Sequence, residues 1–296
     1  MERNNFLYLK PMLLKEVYKP FNDKDYIFEL KFDGIRCLVL INNDDIIIRS
    51  RNGVILNNIY PELKSIKNIS NDICVFDGEI VLLSDGKPSF SKVMERFRLR
   101  NSNKIKFMIE NYPVTFVVFD ILYFNKDLTE YTLIERKKLL NKFKDTKYFV
   151  KSKYIEEKGI DLFNINKKNN LEGVVAKKKN SKYYYGIRTK DWIKIKNWIS
   201  EDFYVCGYEY TKGNTVINVI LGEKIDGNFQ YVGKVIMGVK NKMYNTIINS
   251  TIVKNYLKNY DIRNANIISP DCKIKVNYIE RTKDNLLREA FIRIDK

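Results

Sequence analysis

The sequence predicts an α+β protein with two domains, an antiparallel-sheet domain over residues 1–198 followed by a small β-barrel domain over residues 199–296. A length of 296 residues exceeds one typical domain. Strand and helix patterns alternate up to Trp198, and short apolar runs separated by Gly and Asn follow it. With 45% hydrophobic and 13% aromatic residues, each domain can bury a core.

Apolar alternation over residues 26–48 predicts antiparallel hairpin strands, with turn residues at 42–45 between them. Further strands are predicted at 73–76, 80–83, 114–121, 173–176 and 192–195, and amphipathic helices at 90–100 and 133–143. The second domain is predicted to hold strands at 203–208, 216–221, 231–236 and 273–278 and one helix near 243–258. So many short strands fit a small barrel such as an OB-fold. No Pro-rich or Ser-rich linker occurs, so we expect a short hinge near 197–201.

A net charge of +17 and a pI near 9.4 favour a polyanionic partner, and nucleic acid is the simplest. The alternative is a Lys-, Asn- and Ile-rich composition from an AT-rich genome, with lysines that merely solvate the surface. The sequence contains no long apolar run, and its N-terminus is not a basic segment followed by an apolar one. We therefore expect neither membrane insertion nor export. The four cysteines are far apart and histidine is absent, which predicts reduced thiols, no structural zinc and a cytoplasmic protein.

The chemistry is suggested by five short islands in a fixed order. They are 29–36 (ELKFDGIR), 50–53 (SRNG), 76–79 (FDGE), 171–177 (LEGVVAK) and 192–196 (WIKIK). A single Lys-x-Asp-Gly is also an ordinary turn, so the order is more informative than any one island. The series, which covers nearly the whole chain, resembles the nucleotidyltransferase motifs of ATP-dependent DNA ligases, RNA ligases and mRNA capping enzymes.

The resemblance implies that Lys31 attacks the α-phosphorus of ATP, forms a phosphoramidate to AMP and releases pyrophosphate. A lysine with an ordinary pKa of about 10.4 is neutral roughly one time in a thousand near pH 7.4, a penalty of about 4 kcal/mol. We therefore expect burial and neighbouring cations to lower the pKa of Lys31. Arg36, Lys194 and Lys196 are the candidate cations, and they would also neutralise the triphosphate. Asp33 either fixes the loop or helps to bind metal.

Further contacts with ATP are implied for several residues of the islands. Glu79 and Glu172 correspond to the carboxylates that handle the ribose and hold a divalent metal, for which Mg²⁺ is the expected ion and Mn²⁺ the alternative. Glu29 is expected to bind the nucleotide. Phe119, in the segment 116–123 (FVVFDILY), corresponds to the aromatic residue that stacks on adenine, worth about 1–3 kcal/mol. A phenylalanine in an apolar strand is also commonly a core residue.

Arg51 corresponds to an arginine that approaches the 5′-phosphate of a nick, and we also expect it to contribute to ATP binding. Residues 177–196 carry eight basic side chains and one acidic one, with tyrosines and a tryptophan between them. This stretch is predicted to bind DNA through Lys177, Lys182 and Arg188. Its tyrosines could equally be strand core.

Two further segments indicate which members of this enzyme group the chain resembles. Residues 287–296 (LREAFIRIDK) resemble the last ligase motif, in which Arg293 and Lys296 would orient pyrophosphate when a mobile barrel closes. Residues 181–188 and 231–235 are similar to the ligase module of bacterial end-joining ligases, which often act with Ku. The implied function is a monomeric, ATP-dependent ligase of nicked duplex DNA that works through lysine-AMP and DNA-adenylate. The alternatives are an RNA ligase, a GTP-dependent capping-type enzyme and a non-catalytic nucleic-acid-binding protein.

Overall fold

The computed structural model describes residues 3–43, 45–84, 86–211, 216–261 and 265–292. The chain divides into two compact units, Met1–Asn197 and Trp198–Lys296. None of the helices in the described ranges is long and apolar enough to cross a membrane.

In its described residues, the first unit contains eleven strands, five α-helices and one 3₁₀ helix. The strands are β1 (Leu13–Val17), β2 (Asp23–Leu30), β3 (Ile35–Asn42), β4 (Asp45–Ser50), β5 (Cys74–Ser84), β6 (Lys87–Pro88), β7 (Val114–Phe124), β8 (Phe149–Lys151), β9 (Tyr154–Glu157), β10 (Gly173–Lys178) and β11 (Arg188–Lys196). The helices are α1 (Arg3–Tyr8), the 3₁₀ helix (Pro61–Ile69), α2 (Phe90–Arg98), α3 (Ser102–Asn111), α4 (Leu133–Leu140) and α5 (Gly159–Lys168).

These strands form two sheets with the orders β1-β11-β10-β2-β9 and β4-β3-β5-β7-β8, and β6 adds to β5. All pairs are antiparallel except β1 with β11 and β7 with β8. Successive side chains of a strand point to opposite faces. Leu38 of β3 accordingly packs with Ile27 and Trp192 of the other sheet, whereas Val39 packs with the core beneath the helices. The cluster that contains Leu38, Ile27 and Trp192 therefore lies between the two sheets.

The core beneath the helices contains a buried ion pair between Arg96 of α2 and Glu62 of the 3₁₀ helix, whose side chains are 0% and 2% exposed. Arg96 also donates through Nη2 to the carbonyl of Ile59 at 3.1 Å. Removing one partner of such a pair leaves a buried charge without compensation. This pair therefore fixes helix α2 to the 3₁₀ helix.

We expect Arg96→Ala to reduce the free energy of unfolding of the first unit by about 3–5 kcal/mol. The measurement is urea unfolding followed by the fluorescence of Trp192, which is buried, in a Trp198→Phe background so that a single tryptophan reports. Arg98→Ala, at an exposed position of the same helix, is the matched control and should change stability by less than about 0.5 kcal/mol. Equal losses in the two variants would contradict the structural role of the ion pair.

The second unit is a curled antiparallel sheet with strand order β14-β13-β12-β16-β19, with β15 paired to β12 and a separate pair β17-β18. Its elements are β12 (Ile199–Tyr210), β13 (Val216–Ile225), β14 (Asn228–Gly238), α6 (Tyr244–Ile248), β15 (Asn266–Ile267), β16 (Lys273–Tyr278), β17 (Glu280–Arg281), β18 (Leu287–Arg288) and β19 (Phe291–Ile292). The long strand β12 pairs with β16 along its first half and with β13 and β15 along its second half. This exchange of partners curls the sheet around its core.

Three predictions about the elements differ from the structure. The strands before and after the Lys31 loop do not form a hairpin with each other, because β2 pairs with β9 and β10 whereas β3 pairs with β4 and β5. The strands predicted at 73–76 and 80–83 are one continuous strand, β5. The helix predicted over 243–258 is wrong beyond Ile248, where α6 ends. The backbone of Val253 instead donates to Ile267 at 2.9 Å, and Ile252 bridges to Ile268. Pairing at the edge of the barrel therefore replaces helical hydrogen bonds in this segment.

Candidate active site

One cleft of the first unit collects side chains from both of its sheets. Glu29, Lys31, Arg36, Glu79 and Phe119, all predicted from the sequence to lie at one site, line it together. The remaining lining residues are Leu14, Leu30, Phe32, Val175, Lys177 and Trp192. Backbone pairing explains part of this convergence, because Arg36 of β3 lies opposite Glu79 of β5. The cleft therefore contains cations, carboxylates and aromatic rings in contact with one another.

Lys31 follows β2 directly, and its Nζ lies 2.8 Å from both carboxylate oxygens of Glu172. The backbone amide of Lys31 donates to the carbonyl of Gly173 at 2.9 Å, which holds the two segments together. Gly173 has φ +145°, and a Cβ there would lie 2.1 Å from the carbonyl oxygen of Ile195. Only glycine fits this position. The close approach of β10 to β11 thus sets Glu172 beside Lys31.

The predicted lowering of the Lys31 pKa is wrong. Burial disfavours the charged amine, but the carboxylates of Glu172 and Glu79 outweigh burial and raise the pKa of Lys31 above its ordinary value. Two of the expected cations have other partners. Arg36 pairs with Asp77, and Nζ of Lys194 lies 3.1 Å from Glu16. The amine is therefore held protonated by its carboxylate neighbours.

We expect Glu172→Gln to lower the pKa of Lys31, because it removes the nearest negative charge. A lower pKa gives a larger neutral fraction at any pH below it, so Lys31 should react faster with an amine-acylating reagent at neutral pH. Peptide mass spectrometry across a pH series would measure this rate, and the 21% exposure of the side chain admits the reagent. Glu156→Gln, which removes the exposed partner of Lys179, is the control. An unchanged labelling profile of Lys31 would contradict the proposed charge balance.

The carboxylates Glu79 and Glu172 both resist ionisation. Burial, with added repulsion from Glu172 and Asp77, raises the pKa of Glu79 to about 8 despite the opposing charges of Lys31 and Arg36. Burial and the charge of Asp33 also raise the pKa of Glu172. In the part of the chain that the structure describes, no three acidic, Cys or His side chains form a metal cluster. A pair of carboxylates nevertheless fits Mg²⁺, which is commonly bound by one or two carboxylates together with substrate phosphates.

Arg36 is held by hydrogen bonds to Asp77, a residue that was not predicted to belong to the site. It donates through Nε and Nη2 to the two carboxylate oxygens of Asp77 at 3.1 and 2.7 Å. Asp77 also accepts from the hydroxyl of Tyr183 at 2.6 Å. The guanidinium lies 5.4 Å from the ring centroid of Phe119, and that ring packs edge-on against Trp192. Asp77 is part of the FDGE island, and that was the signal available to detect it.

Glu29 accepts hydrogen bonds from Lys177 at 2.9 Å and from Ser152 at 3.2 Å, and it forms an ion pair with Lys137 of α4. Burial opposes ionisation of this carboxyl, but the two lysines outweigh burial and hold the pKa of Glu29 below its ordinary value. Burial lowers the pKa of Lys177 to about 8. The prediction that Lys177 contacts DNA is wrong, because this side chain is 2% exposed and lies inside the cleft, not on the surface. Lys137 was not predicted at all.

The other predicted residues lie around the cleft or at the surface. Arg51 is exposed in the turn after β4, and its amide donates to the carbonyl of Arg36 at 2.9 Å. Lys182 is exposed and pairs with Glu130 at 2.6 Å, and Arg188 is exposed at the start of β11. Lys196 is buried near Glu172. Arg293 and Lys296 lie outside the described residues.

A lysine held by buried carboxylates beside an aromatic cleft, on a two-sheet unit followed by a curled barrel, is the arrangement of a nucleotidyltransferase. Residues 11–196 match the family model described as the ATP dependent DNA ligase domain. The chain belongs to this family. The predicted membership among ATP-dependent DNA ligases, and with it the predicted enzyme class, is thereby confirmed.

Curated relatives support the same assignment. The chain is 34% identical over 205 residues to the SPbeta prophage-derived DNA ligase-like protein LigB of Bacillus subtilis (strain 168), which covers 68% of this chain and 72% of that protein. It is 28% identical over 294 residues to the multifunctional non-homologous end joining protein LigD of Mycolicibacterium smegmatis, covering 94% of this chain. The match spans only 37% of the length of that LigD protein.

Solved structures confirm the predicted fold class, an α+β adenylation unit followed by an OB-fold barrel. A mycobacterial DNA ligase D complexed with ATP and MES matches with a TM-score of 0.60 and 25% identity, covering 100% of this chain and 97% of that one. A structure from a study of Lig E DNA ligases matches with a TM-score of 0.67, covering 96% of this chain and 98% of that one. At 15% identity the second likeness concerns the fold alone.

Proposed function

We propose that this chain seals 3′-OH/5′-phosphate nicks in duplex DNA with ATP, and that Lys31 is the residue that carries AMP. The observation that carries the proposal is the position of the Lys31 amine, 2.8 Å from Glu172 and inside the cleft lined by Glu79 and Phe119. A single amine near two acidic side chains and an aromatic face is suited to receive a nucleotide whose phosphates lie over the amine.

In the first step the Lys31 ammonium loses one proton to solvent, the neutral amine forms a P–N bond with the α-phosphorus as the bond to pyrophosphate breaks, and the nitrogen then loses a second proton to solvent. The negative charge of Glu172, and that of Glu79 once this carboxyl has lost its own proton, must be balanced before the first of these protons is lost, because both charges raise the pKa of Lys31. Mg²⁺, or Mn²⁺ as the alternative, would be held by these two carboxylates and would supply the balancing positive charge. Arg36, Lys194 and Lys196 would neutralise the triphosphate and the leaving group.

The second and third steps use the activated phosphate. A 5′-phosphate oxygen of the nick attacks the phosphorus of lysine-AMP, and Lys31 leaves as the amine. The 3′-hydroxyl then attacks the DNA 5′-phosphorus in line, and AMP leaves. We propose that Phe119 stacks on adenine during the first step and that Arg51 contacts the 5′-phosphate. Asp33 would remain near Lys31, whose pKa its charge helps to raise.

We also propose the biological setting. The likeness to end-joining LigD proteins supports action in DNA repair, with a Ku-type end-binding protein as partner, in the cytoplasm and as a monomer. The units 1–198 and 199–296 would act as the adenylation and OB-fold domains, and Arg293 and Lys296 would orient pyrophosphate. Isothermal titration of the purified chain with its host's end-binding protein would test the partnership.

The exposed cations Arg51, Lys182 and Arg188 are proposed to contact DNA phosphates. If the whole footprint covers about six phosphates, log K for nicked duplex should fall with log salt at a slope of roughly −5. Arg188→Ala should make the slope less negative by about 1. Fluorescence anisotropy across a salt series measures this, with the exposed Lys24 changed to alanine as the control. A slope that does not respond to Arg188→Ala would exclude this residue from the footprint.

The test of the proposed function is incubation of the chain with α-labelled ATP or GTP and Mg²⁺, followed by nicked DNA or nicked RNA. Label from ATP that binds Lys31 and passes to DNA with sealing supports the proposal. Transfer to RNA alone would favour an RNA ligase, and label from GTP would favour capping chemistry. If neither nucleotide labels the chain, the remaining alternative is a non-catalytic nucleic-acid-binding protein.

A further inference from the structure

Lys137 is a buried charged residue that the proposed mechanism does not use. This lysine of α4 is 3% exposed and forms an ion pair with Glu29, which is 2% exposed. Its Nζ also lies 5.5 Å from the ring centroid of Tyr154, the residue paired with Glu29 across β2 and β9. A lysine is almost never this buried without a purpose in packing or function. Glu29, its charged partner, lines the cleft.

The two lysines approach Glu29 from different sides. Lys177 lines the cleft, and its Nζ lies 4.2 Å from the ring centroids of both Phe119 and Trp192. Lys137 comes from α4 and does not belong to the set of side chains that line the cleft. A planar group stacked on Phe119 would meet the ammonium of Lys177 and displace it from the ring. Lys137 would keep its position against Glu29.

The geometry also decides which edge of a base Glu29 can recognise. Nζ of Lys177 lies 2.9 Å from Oε2 of Glu29 and 4.2 Å from the Phe119 centroid, so one ammonium contacts both the carboxylate and the ring. An ionised carboxylate only accepts hydrogen bonds. It would accept from the exocyclic amine of adenine, whereas a purine with a carbonyl at that position would present an acceptor to an acceptor. Discrimination by this edge requires that Glu29 stay ionised in a buried site.

We propose that Lys137 is a positioning residue for base selection, which holds the Glu29 carboxylate ionised and oriented toward the exocyclic amine of ATP. The inference rests on the proposed function, because it places the base of ATP on Phe119. It assigns to α4 a role in nucleotide choice, although the helix itself does not line the cleft. Lys137 contacts the carboxylate of Glu29. Through this carboxylate it acts on the exocyclic amine of the substrate.

The test compares formation of lysine-nucleotide from ATP and from purine riboside 5′-triphosphate, which lacks the exocyclic amine. In Lys137→Met we expect kcat/KM for ATP to fall about 10- to 100-fold, mainly through KM, with a change of less than about twofold for the analogue. Lys137→Arg, which keeps the charge, should restore most of the preference for ATP. Lys138→Met, at the exposed neighbouring position of the same helix, should change neither nucleotide.

The outcomes separate this inference from the proposed function. If the unchanged chain forms no adduct with either nucleotide, the proposed function itself fails. If the unchanged chain uses both nucleotides equally well, or if Lys137→Met loses equally with both, the role of Lys137 in base selection is overturned. Should Lys137→Met not fold, Lys137→Gln is measured instead, since its amide still donates to Glu29. The same selective loss for ATP, at smaller size, is then expected, and an equal loss for both nucleotides overturns the inference.

Discussion

Lys31→Ala is expected to reduce formation of the enzyme-AMP adduct by more than about 10⁴-fold, because no other side chain in the described cleft presents an amine to two carboxylates. Nζ of Lys31 lies 2.8 Å from Glu172, whereas the amine of Lys177 is turned toward Glu29. Gel analysis with α-labelled ATP measures the adduct. Binding of nicked DNA should stay within about twofold, since one partly exposed charge contributes little to a footprint of several phosphates.

A substrate that bypasses the first step sharpens this result. The variant should still seal a nick that already carries 5′-adenylate, because that step needs the DNA site and not the lysine nucleophile. Lys24→Ala removes an exposed lysine of β2, the strand that ends just before Lys31, and should leave every step unchanged. Adduct formation by Lys31→Ala at the unchanged rate, or failure on the adenylated nick with normal folding, would each refute the assignment.

The sequence predicted the members of the cleft well, because four of the five islands lie at least partly on strands that pair with another island. Val175 of β10 pairs with Glu29 of β2, and Arg36 pairs with Glu79. The series of islands along the chain therefore indicates which residues come together in the folded unit. Their roles in catalysis stay predictions, and the charge balance around Lys31 was mispredicted. Sequence identifies which charges are near, but ionisation depends on distances and on burial.

One residue that was missed reaches the site from an element with no motif. Lys137 belongs to a helix that was predicted only as amphipathic, and nothing in its spacing shows that one lysine turns inward to Glu29. Lys177 looked like one member of a basic run, although it lies on the same face of β10 as Val175, and both residues line the cleft. Burial of a charged residue depends on a partner distant in sequence, which a local pattern does not reveal.

Glycine explains why β5 was predicted as two strands. Asp-Gly ordinarily signals a turn, but Gly78 lies within a continuous strand. A Cβ at this position would lie 2.4 Å from the ring of Phe116. The residue therefore serves close packing against β7 and not a change of direction. The same two-residue signal has two structural meanings, and only the neighbouring strand distinguishes them.

Glu79→Gln is expected to reduce adduct formation with Mg²⁺ by roughly 10²- to 10³-fold, because a neutral amide is a weaker ligand for a hard cation and supplies no charge. A second consequence concerns pH. Burial raises the pKa of Glu79 to about 8, so below that pH the carboxyl holds a proton that a bound cation must displace. Apparent metal affinity should therefore rise with pH up to about 8 and then level off.

Binding of Mn²⁺ in the presence of a non-hydrolysable ATP analogue, followed by the electron paramagnetic resonance of free Mn²⁺, separates this effect from the titration of Lys31. In Glu79→Gln the affinity should be lower and nearly independent of pH over this range, since the amide has no proton to release. Glu95→Gln, at an exposed position of α2, should behave as the unchanged chain does. A pH dependence that survives Glu79→Gln would assign the displaced proton to another group, with Glu172 as the next candidate, because burial raises its pKa as well.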